Sequence, residues 1–191
     1  MTEDIKTVLA AIEEGHENRE FTTRQYQNYK ALVLFGACTG QRPIATIRKL
    51  TVGQFRAALR GDPPVLDVLP QQDKIRMQHY VPLHPYVVDA VTLLLDGRNR
   101  NDDTHIFAHE YFDKWVRRKK IPLVHGGHFA CGDLRKFAEQ LGDVIQWDQS
   151  NRAYILTHGV SGVSWSHYRN PLPENVYDIY MKYWRDVDFL V

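Results

Sequence analysis

Along most of the chain, apolar residues recur at three- and four-residue intervals, and between residues 64 and 83 that period breaks. The recurring interval marks helices that bury one face; PVLDVLP and RMQHYVPL read as strands joined by QQDK. Many helices around one short hairpin predict an α+β fold, mostly α, with a small antiparallel β-hairpin. At 191 residues the chain has the length of one domain and is read as such over 1–191.

The helical pieces can be placed individually. Ile5, Val8, Leu9 and Ile12 predict a helix over 2–14 that stops near Gly15. A second begins at Thr22 or Thr23, whose hydroxyl can cap it, and runs to Gly40. Pro43 suits a first helical turn, with Ile44, Ile47 and Leu50 facing inward. Helices follow from Pro85 through YVVDAVTLLLDG, over His109 to Lys120, and through GDLRKFAEQLG, with Asp133 as cap and Leu134, Phe137, Ala138 and Leu141 inward. AYILTHGVSGVSWSHY reads as two short pieces joined at Gly159 to Gly162, and ENVYDIYMKYW as a last helix after Pro173 that reaches Trp184. Hydrophobic residues at 43% and charged residues at 25% fit an ordinary globular chain, with disorder expected only at the ends and around 142–152.

Several classes are disfavoured. No apolar run reaches the roughly 18–20 residues that cross a bilayer, and the start, MTEDIKTVLAAIEEG, is acidic where a signal peptide is basic. A soluble cytoplasmic chain without a membrane partner is expected. Cys38 and Cys131 sit in apolar surroundings and read as buried thiols. HGGHFACGD lacks the spacing of a phosphate-cradling glycine loop. His125, His128 and Asp133 lack a matched set of metal ligands elsewhere, so no cofactor and no metal are expected.

Net charge is only +1, but its distribution is uneven. Between Tyr111 and Lys136, the seven cations Lys114, Arg117, Arg118, Lys119, Lys120, Arg135 and Lys136 face two acids, Asp113 and Asp133. Such a run suits a nucleic-acid backbone and equally suits a solvated helix face.

TGQRP at 39–43, Lys74 in the hairpin, DLRKFA at 133–138, LTH at 156–158 and SHY at 166–168 occur in an order that resembles the catalytic domain of the tyrosine recombinase (phage integrase) family, particularly its divergent archaeal and viral members. The resemblance covers about residues 20–184. It implies that Arg42 and Arg135 clamp a phosphate, that Lys74 protonates the leaving oxygen, that His158 bonds the phosphate or positions the nucleophile, and that Tyr168, ten residues after His158, is that nucleophile. Arg76 is the alternative to Lys74 if the register differs. Two positions depart from the family pattern: Gly132 stands where a histidine is common, and Ala45 where an acidic residue is often found. His128 lies four residues before Gly132.

The chemistry agrees with these residue types. Charge grows on the non-bridging oxygens of a phosphodiester under attack, and two forked, permanently charged guanidinium groups stabilise it without a metal. The resemblance implies cleavage through a 3′-phosphotyrosyl bond with a free 5′-hydroxyl, then rejoining, for integration or excision of a mobile element. It implies double-stranded DNA as partner, a location in the cytoplasm at the nucleoid or in a host cell, and leaves self-association into a dimer or tetramer on DNA open. No amino-terminal DNA-binding domain of the kind the family carries fits within the first 20 residues.

Other readings stay open. Either arginine can make a core-edge ion pair, Lys74 can be solvated and His158 can simply end a helix. Tyr154, Tyr177, Tyr180 and Tyr183 compete with Tyr168, although the last three recur at helical spacing like packing residues, as do Trp165 and Trp184. For the whole chain the alternatives are type IB topoisomerase-like relaxation, a catalytically impaired DNA-binding or architectural relative, and a helical protein-interaction domain.

Overall fold

The computed structural model describes residues 2–97, 100–158 and 171–189. The first helix, α1 (Thr2–Glu17), buries Ile5, Val8 and Ile12. It runs past Gly15, where the sequence predicts a stop; that glycine is a contact point, since a Cβ there would sit 2.7 Å from the Phe21 ring. Helix α2 (Thr23–Thr39) begins where expected. Thr22 Oγ1 accepts the Gln25 N–H, and the Gln25 side chain accepts the Thr22 N–H, which satisfies two donors the helix leaves open. Every residue from Ala31 to Thr39 is buried, and α2 is the central helix, packed against α1, α4 (Pro85–Leu95) and α6 (Asp133–Val144).

The segment after α2 departs from the expectation. Pro43 starts no α-helix; residues 43–46 are turns and Ile47–Lys49 is one turn of 3-10 helix. The Arg42 carbonyl accepts both the Thr46 and the Ile47 N–H, and this tight fold leaves Ile44 68% exposed while Ile47 and Leu50 are buried. The helix comes later, as α3 (Val52–Arg60), started by a second reciprocal cap between Thr51 and Gln54.

Strands β1 (Val65–Val68) and β2 (His79–Pro82) pair antiparallel, with Val65 opposite Pro82 and Val68 opposite His79. The fold is thus mostly α with one small antiparallel sheet, as the broken period predicts. Between the strands, Pro70–Gln72 makes a 3-10 turn and residues 73–75 a tight bend. The Gln54 side chain ties α3 to this connection through the Asp67 carbonyl and the Gln72 side chain.

Helices α5 (His109–Lys119), α6, α7 (Gln149–Ile155) and α8 (Pro173–Trp184) follow among the described residues. Asp133 is not the cap of α6 but its first residue, with Gly132 before it. Its carboxylate instead accepts the Ala130 N–H of the preceding turn. Residues 142–152, expected to be disordered, are ordered by local bonds: Asp148 caps α7 at the Asn151 N–H, and the buried Trp147 indole donates to Asn151 Oδ1. The second helical piece predicted in 153–168, with Gly159 to Gly162 and Trp165, lies outside the described residues.

The sequence leaves open whether the last helix packs on its own chain, and the structure places it there. Tyr180 and Trp184 are fully buried and stacked at 5.3 Å, Tyr180 donates to the Cys38 carbonyl, and Trp184 meets the Trp147 ring edge-on. Each such aromatic removes roughly 150–250 Å² from water. At about 25 cal/mol per Å² that far exceeds an exposed ion pair, so α8 is held by rings. Cys38 and Cys131 are both buried, and burial raises both thiols. Among the described residues no helix is long and apolar enough to cross a membrane.

Candidate active site

The site begins at the end of α2, where the backbone must turn sharply. Gly40 is left-handed, with φ 63°, and its N–H closes the helix on the Gly36 carbonyl. Its carbonyl accepts Arg135 Nη1 at 2.9 Å. A Cβ at Gly40 would lie 2.3 Å from Leu156 Cδ2 and 3.0 Å from Ala138 Cβ, so the glycine is required twice, for its conformation and for the closeness of α6 and the end of α7. Gly40→Ala should destabilise the fold by about 2–5 kcal/mol, from a left-handed Cβ and overpacking. Thermal unfolding followed by circular dichroism checks this; an unchanged Tm would refute the packing described.

Gln41 and Arg42 then extend outward. Gln41 is buried, donates to the Ile155 carbonyl at 2.6 Å and meets His79 Nε2 at 3.3 Å, joining α2, α7 and β2. Burial lowers the His79 pKa, which favours the neutral ring. Arg42 Nη1 donates to Thr157 Oγ1 at 2.8 Å and lies 3.6 Å from Asp73 Oδ1. Its Nε and Nη2 have no partner among the described residues. With its side chain 23% exposed, Arg42 is held at one nitrogen and, among the described residues, open at the others.

Asp73, absent from the sequence reading, is the pivot of this network. Its side chain is fully buried. Oδ1 accepts the Thr157 hydroxyl at 2.9 Å, and Oδ2 accepts the Ile75 and Met77 N–H groups, which shapes the bend that carries Lys74. Burial alone would raise this carboxyl, but the Thr157 hydroxyl and the Met77 and Ile75 amides outweigh it and hold it below the usual range. The stability this charge lends is therefore present above the ordinary carboxylate range and is lost as pH falls through the lowered value. Lys74 itself is exposed, and no hydrogen bond or ion pair engages its ammonium among the described residues. Arg76 is exposed too, at φ 57°.

Arg135 lies in the first turn of α6 and is more deeply committed than Arg42. Besides Gly40, it donates through Nη2 to the Leu156 carbonyl at 2.8 Å, approaches His158 Nε2 at 3.2 Å, and pairs through Nε with Glu139 at 3.1 Å. The same Glu139 carboxylate lies 2.9 Å from His158 Nε2. Burial and the nearby Arg42 charge lower the Arg135 pKa; a guanidinium stays charged regardless. The two arginines are 93 positions apart in sequence, and Arg42 bonds Thr157 while Arg135 bonds the adjoining Leu156 carbonyl and approaches His158.

Arg42, Arg135 and His158 therefore converge, and Lys74 is attached to them through Asp73. The other predicted cations do not join them. Lys119 pairs with Glu14 and Glu20 beside the start of α2, Arg117 with Asp113, and Lys136 with Asp133. Lys114 sits 6.0 Å from the Tyr111 ring, and Arg118 and Lys120 are exposed. The run on α5 thus flanks the opposite end of α2 from the arginines, a helix of 17 residues and so about 25 Å long. At Gly132 a Cβ would meet nothing within 4 Å, so the position is open rather than filled by a substitute. His125 and His128 are both exposed.

Tyr168 lies outside the described residues. Two of its competitors are engaged elsewhere: the Tyr154 hydroxyl accepts the Tyr80 N–H at 3.0 Å, and Tyr180 is buried under α2. Of the residues that sequence reasoning passes over, Glu139 had a signal, its i+4 spacing from Arg135. Asp73 and Thr157 had none, because they meet across 84 positions. No family model, no curated protein and no solved structure matches the chain.

Proposed function

We propose that the chain cleaves and rejoins DNA strands at a phosphate seated against Arg42, Arg135 and His158, with Tyr168 as nucleophile. The observation that carries the reading is the convergence of two arginines from distant segments, one with open donors, beside a histidine and a lysine-bearing bend. Each arginine has one carboxylate beside it, Asp73 at 3.6 Å from Arg42 and Glu139 at 3.1 Å from Arg135, so the site offers an anion hydrogen-bond donors and the exposed Lys74 charge rather than an unbalanced arginine pair.

In this reading the Tyr168 phenol gives its proton to solvent as its oxygen attacks phosphorus, the P–O5′ bond breaks, and the 5′-oxygen leaves as a hydroxyl with a proton from Lys74. Arg42 takes the growing charge through its open Nε and Nη2. Arg135 contributes chiefly by fixing Gly40, Leu156 and Glu139 around the seat, with one Nη1 hydrogen left over from its five. The phosphotyrosyl bond keeps the energy of the broken linkage, so a 5′-hydroxyl can reverse the step without an outside energy source. The reading gives Lys114, Arg117, Arg118, Lys119, Lys120 and Lys136 no part at the reacting phosphate.

A nicked duplex that loses its short 5′-hydroxyl fragment after cleavage should trap a protein–DNA adduct that survives a denaturing gel. Binding without any adduct would instead favour a DNA-binding relative that has lost cleavage. The saturation of most Arg135 donors by protein groups, together with Gly132 at an open position, is what speaks for that second reading.

A further inference from the structure

Helix α7 ends with an unusual residue in a familiar motif. The Thr157 N–H bonds the Tyr154 carbonyl and the His158 N–H bonds the Ala153 carbonyl, both at 3.1 Å. This pair of bonds places one left-handed residue just past the helix, a position that glycine usually fills and asparagine sometimes. Here it is Thr157, at φ 48°. A branched Cβ is least tolerated in that region. Among the described residues the other non-glycine positions at positive φ are Arg19, Arg76, Lys120 and Gln146, all unbranched, while Thr157 is also buried, at 1% exposure.

The side chain explains what the backbone alone disfavours. Its hydroxyl donates to Asp73 Oδ1 at 2.9 Å and accepts from Arg42 Nη1 at 2.8 Å, whereas Arg42 and Asp73 are 3.6 Å apart. The hydroxyl is therefore inserted into the ion pair and carries its hydrogen bonding. Glycine would relax the turn but would leave a fully buried carboxylate oxygen short of its donor and Arg42 Nη1 without its acceptor. Strain concentrated at one residue, locked by charged partners on two other segments, is the pattern of a site that is held in shape.

We propose that Thr157 is the positioning residue of the site. Its hydroxyl aims the Arg42 guanidinium and fastens the Asp73–Lys74 bend to the segment that carries His158, so that both cations face one phosphate oxyanion. The identity of that anion rests on the function proposed above; the orientation of Arg42 does not.

Three variants separate the contributions. Thr157→Ser keeps the hydroxyl, Thr157→Gly relaxes the backbone and removes it, and Thr157→Val keeps the shape and removes it. The first readout is the Arg42 Nε–Hε resonance in the full chain, assigned by its loss in Arg42→Lys. It should be sharp and separately resolved in the native protein and Thr157→Ser, because the Nη1 bond fixes the guanidinium, and broadened or lost in Thr157→Gly and Thr157→Val, with Thr157→Gly still cooperatively folded. The second is titration with inorganic phosphate at constant ionic strength, where Thr157→Gly should bind about tenfold more weakly and Thr157→Ser within about twofold, as expected for a bond to a charged group. An unchanged Arg42 resonance in folded Thr157→Gly would overturn the proposal whatever the titration gave. A resonance lost as expected, in a native protein indifferent to phosphate, would uphold the positioning role and count against the phosphate seat.

Discussion

Tyr168→Phe is expected to abolish the denaturation-resistant DNA adduct while leaving the affinity for the nicked duplex within about twofold, because one hydroxyl's worth of binding is small and a missing nucleophile is absolute. Two of the tyrosines that follow or precede it in sequence have their oxygens committed. Tyr154 is 4% exposed with its oxygen bonded to the Tyr80 amide, and Tyr180 is sealed beneath α2, where burial raises its phenol well above the ordinary value near 10. Tyr177 is raised by burial as well. A phenol attacks phosphorus readily only when cations ease loss of its proton, and the proposed site offers Arg42 and Arg135 for that, with the exposed Lys74 on the bend fastened to them through Asp73. Gel analysis of native and variant chains side by side, with mass spectrometry of any adduct, provides the test. An adduct persisting in the variant would move the nucleophile to another residue and remove the reason for assigning SHY its role.

The parts of this molecule that could be read from sequence are those set by neighbours in the chain. Thr22 with Gln25, Pro85 and Pro173 mark helix starts through local bonding and fixed φ, and the hairpin announces itself by its change of period. Helix α3 carried the same signal in Thr51 and Gln54. It is easily passed over because Gly53 interrupts the pattern and Pro43 offers an earlier apparent start. That glycine is a contact instead: a Cβ there would lie 2.9 Å from Asp102 Cβ. The arginines could be nominated from sequence, but not how they are held. Asp73 supplies the acidic partner that Ala45 does not, from a segment 31 residues beyond Arg42, and the Thr157 hydroxyl joins them from 84 residues further still. Spacing along one helix face reveals contacts such as Arg135 with Glu139; contacts made only by the folded chain leave no such trace.

Arg135→Ala should reduce single-turnover adduct formation by about 10²–10³-fold and lower the unfolding free energy by about 2–5 kcal/mol, since buried carbonyls lose their donors. Both effects come from one side chain that is 14% exposed and serves Gly40, Leu156, Glu139 and His158 together. Their separation requires Arg135→Lys. A lysine has charge but no planar fork, so it can satisfy one carbonyl and not both; it should recover part of the stability and little of the rate. Temperature-dependent circular dichroism and adduct kinetics, both on chains shown to be folded at the assay temperature, give the two numbers. If Arg135→Lys restored the rate in proportion to its stability, Arg135 would be a strut alone and the phosphate seat would reduce to Arg42. If stability returned while the rate stayed low, the fixed direction of the guanidinium would be the property that chemistry uses. That outcome is expected from the geometry: Arg135 holds the left-handed Gly40 turn, Gly40 sets the path of Gln41 and Arg42, and Arg42 meets Thr157 beside the Leu156 carbonyl that Arg135 also binds. A closed circuit of this kind transmits a misplaced group at any point to the whole seat.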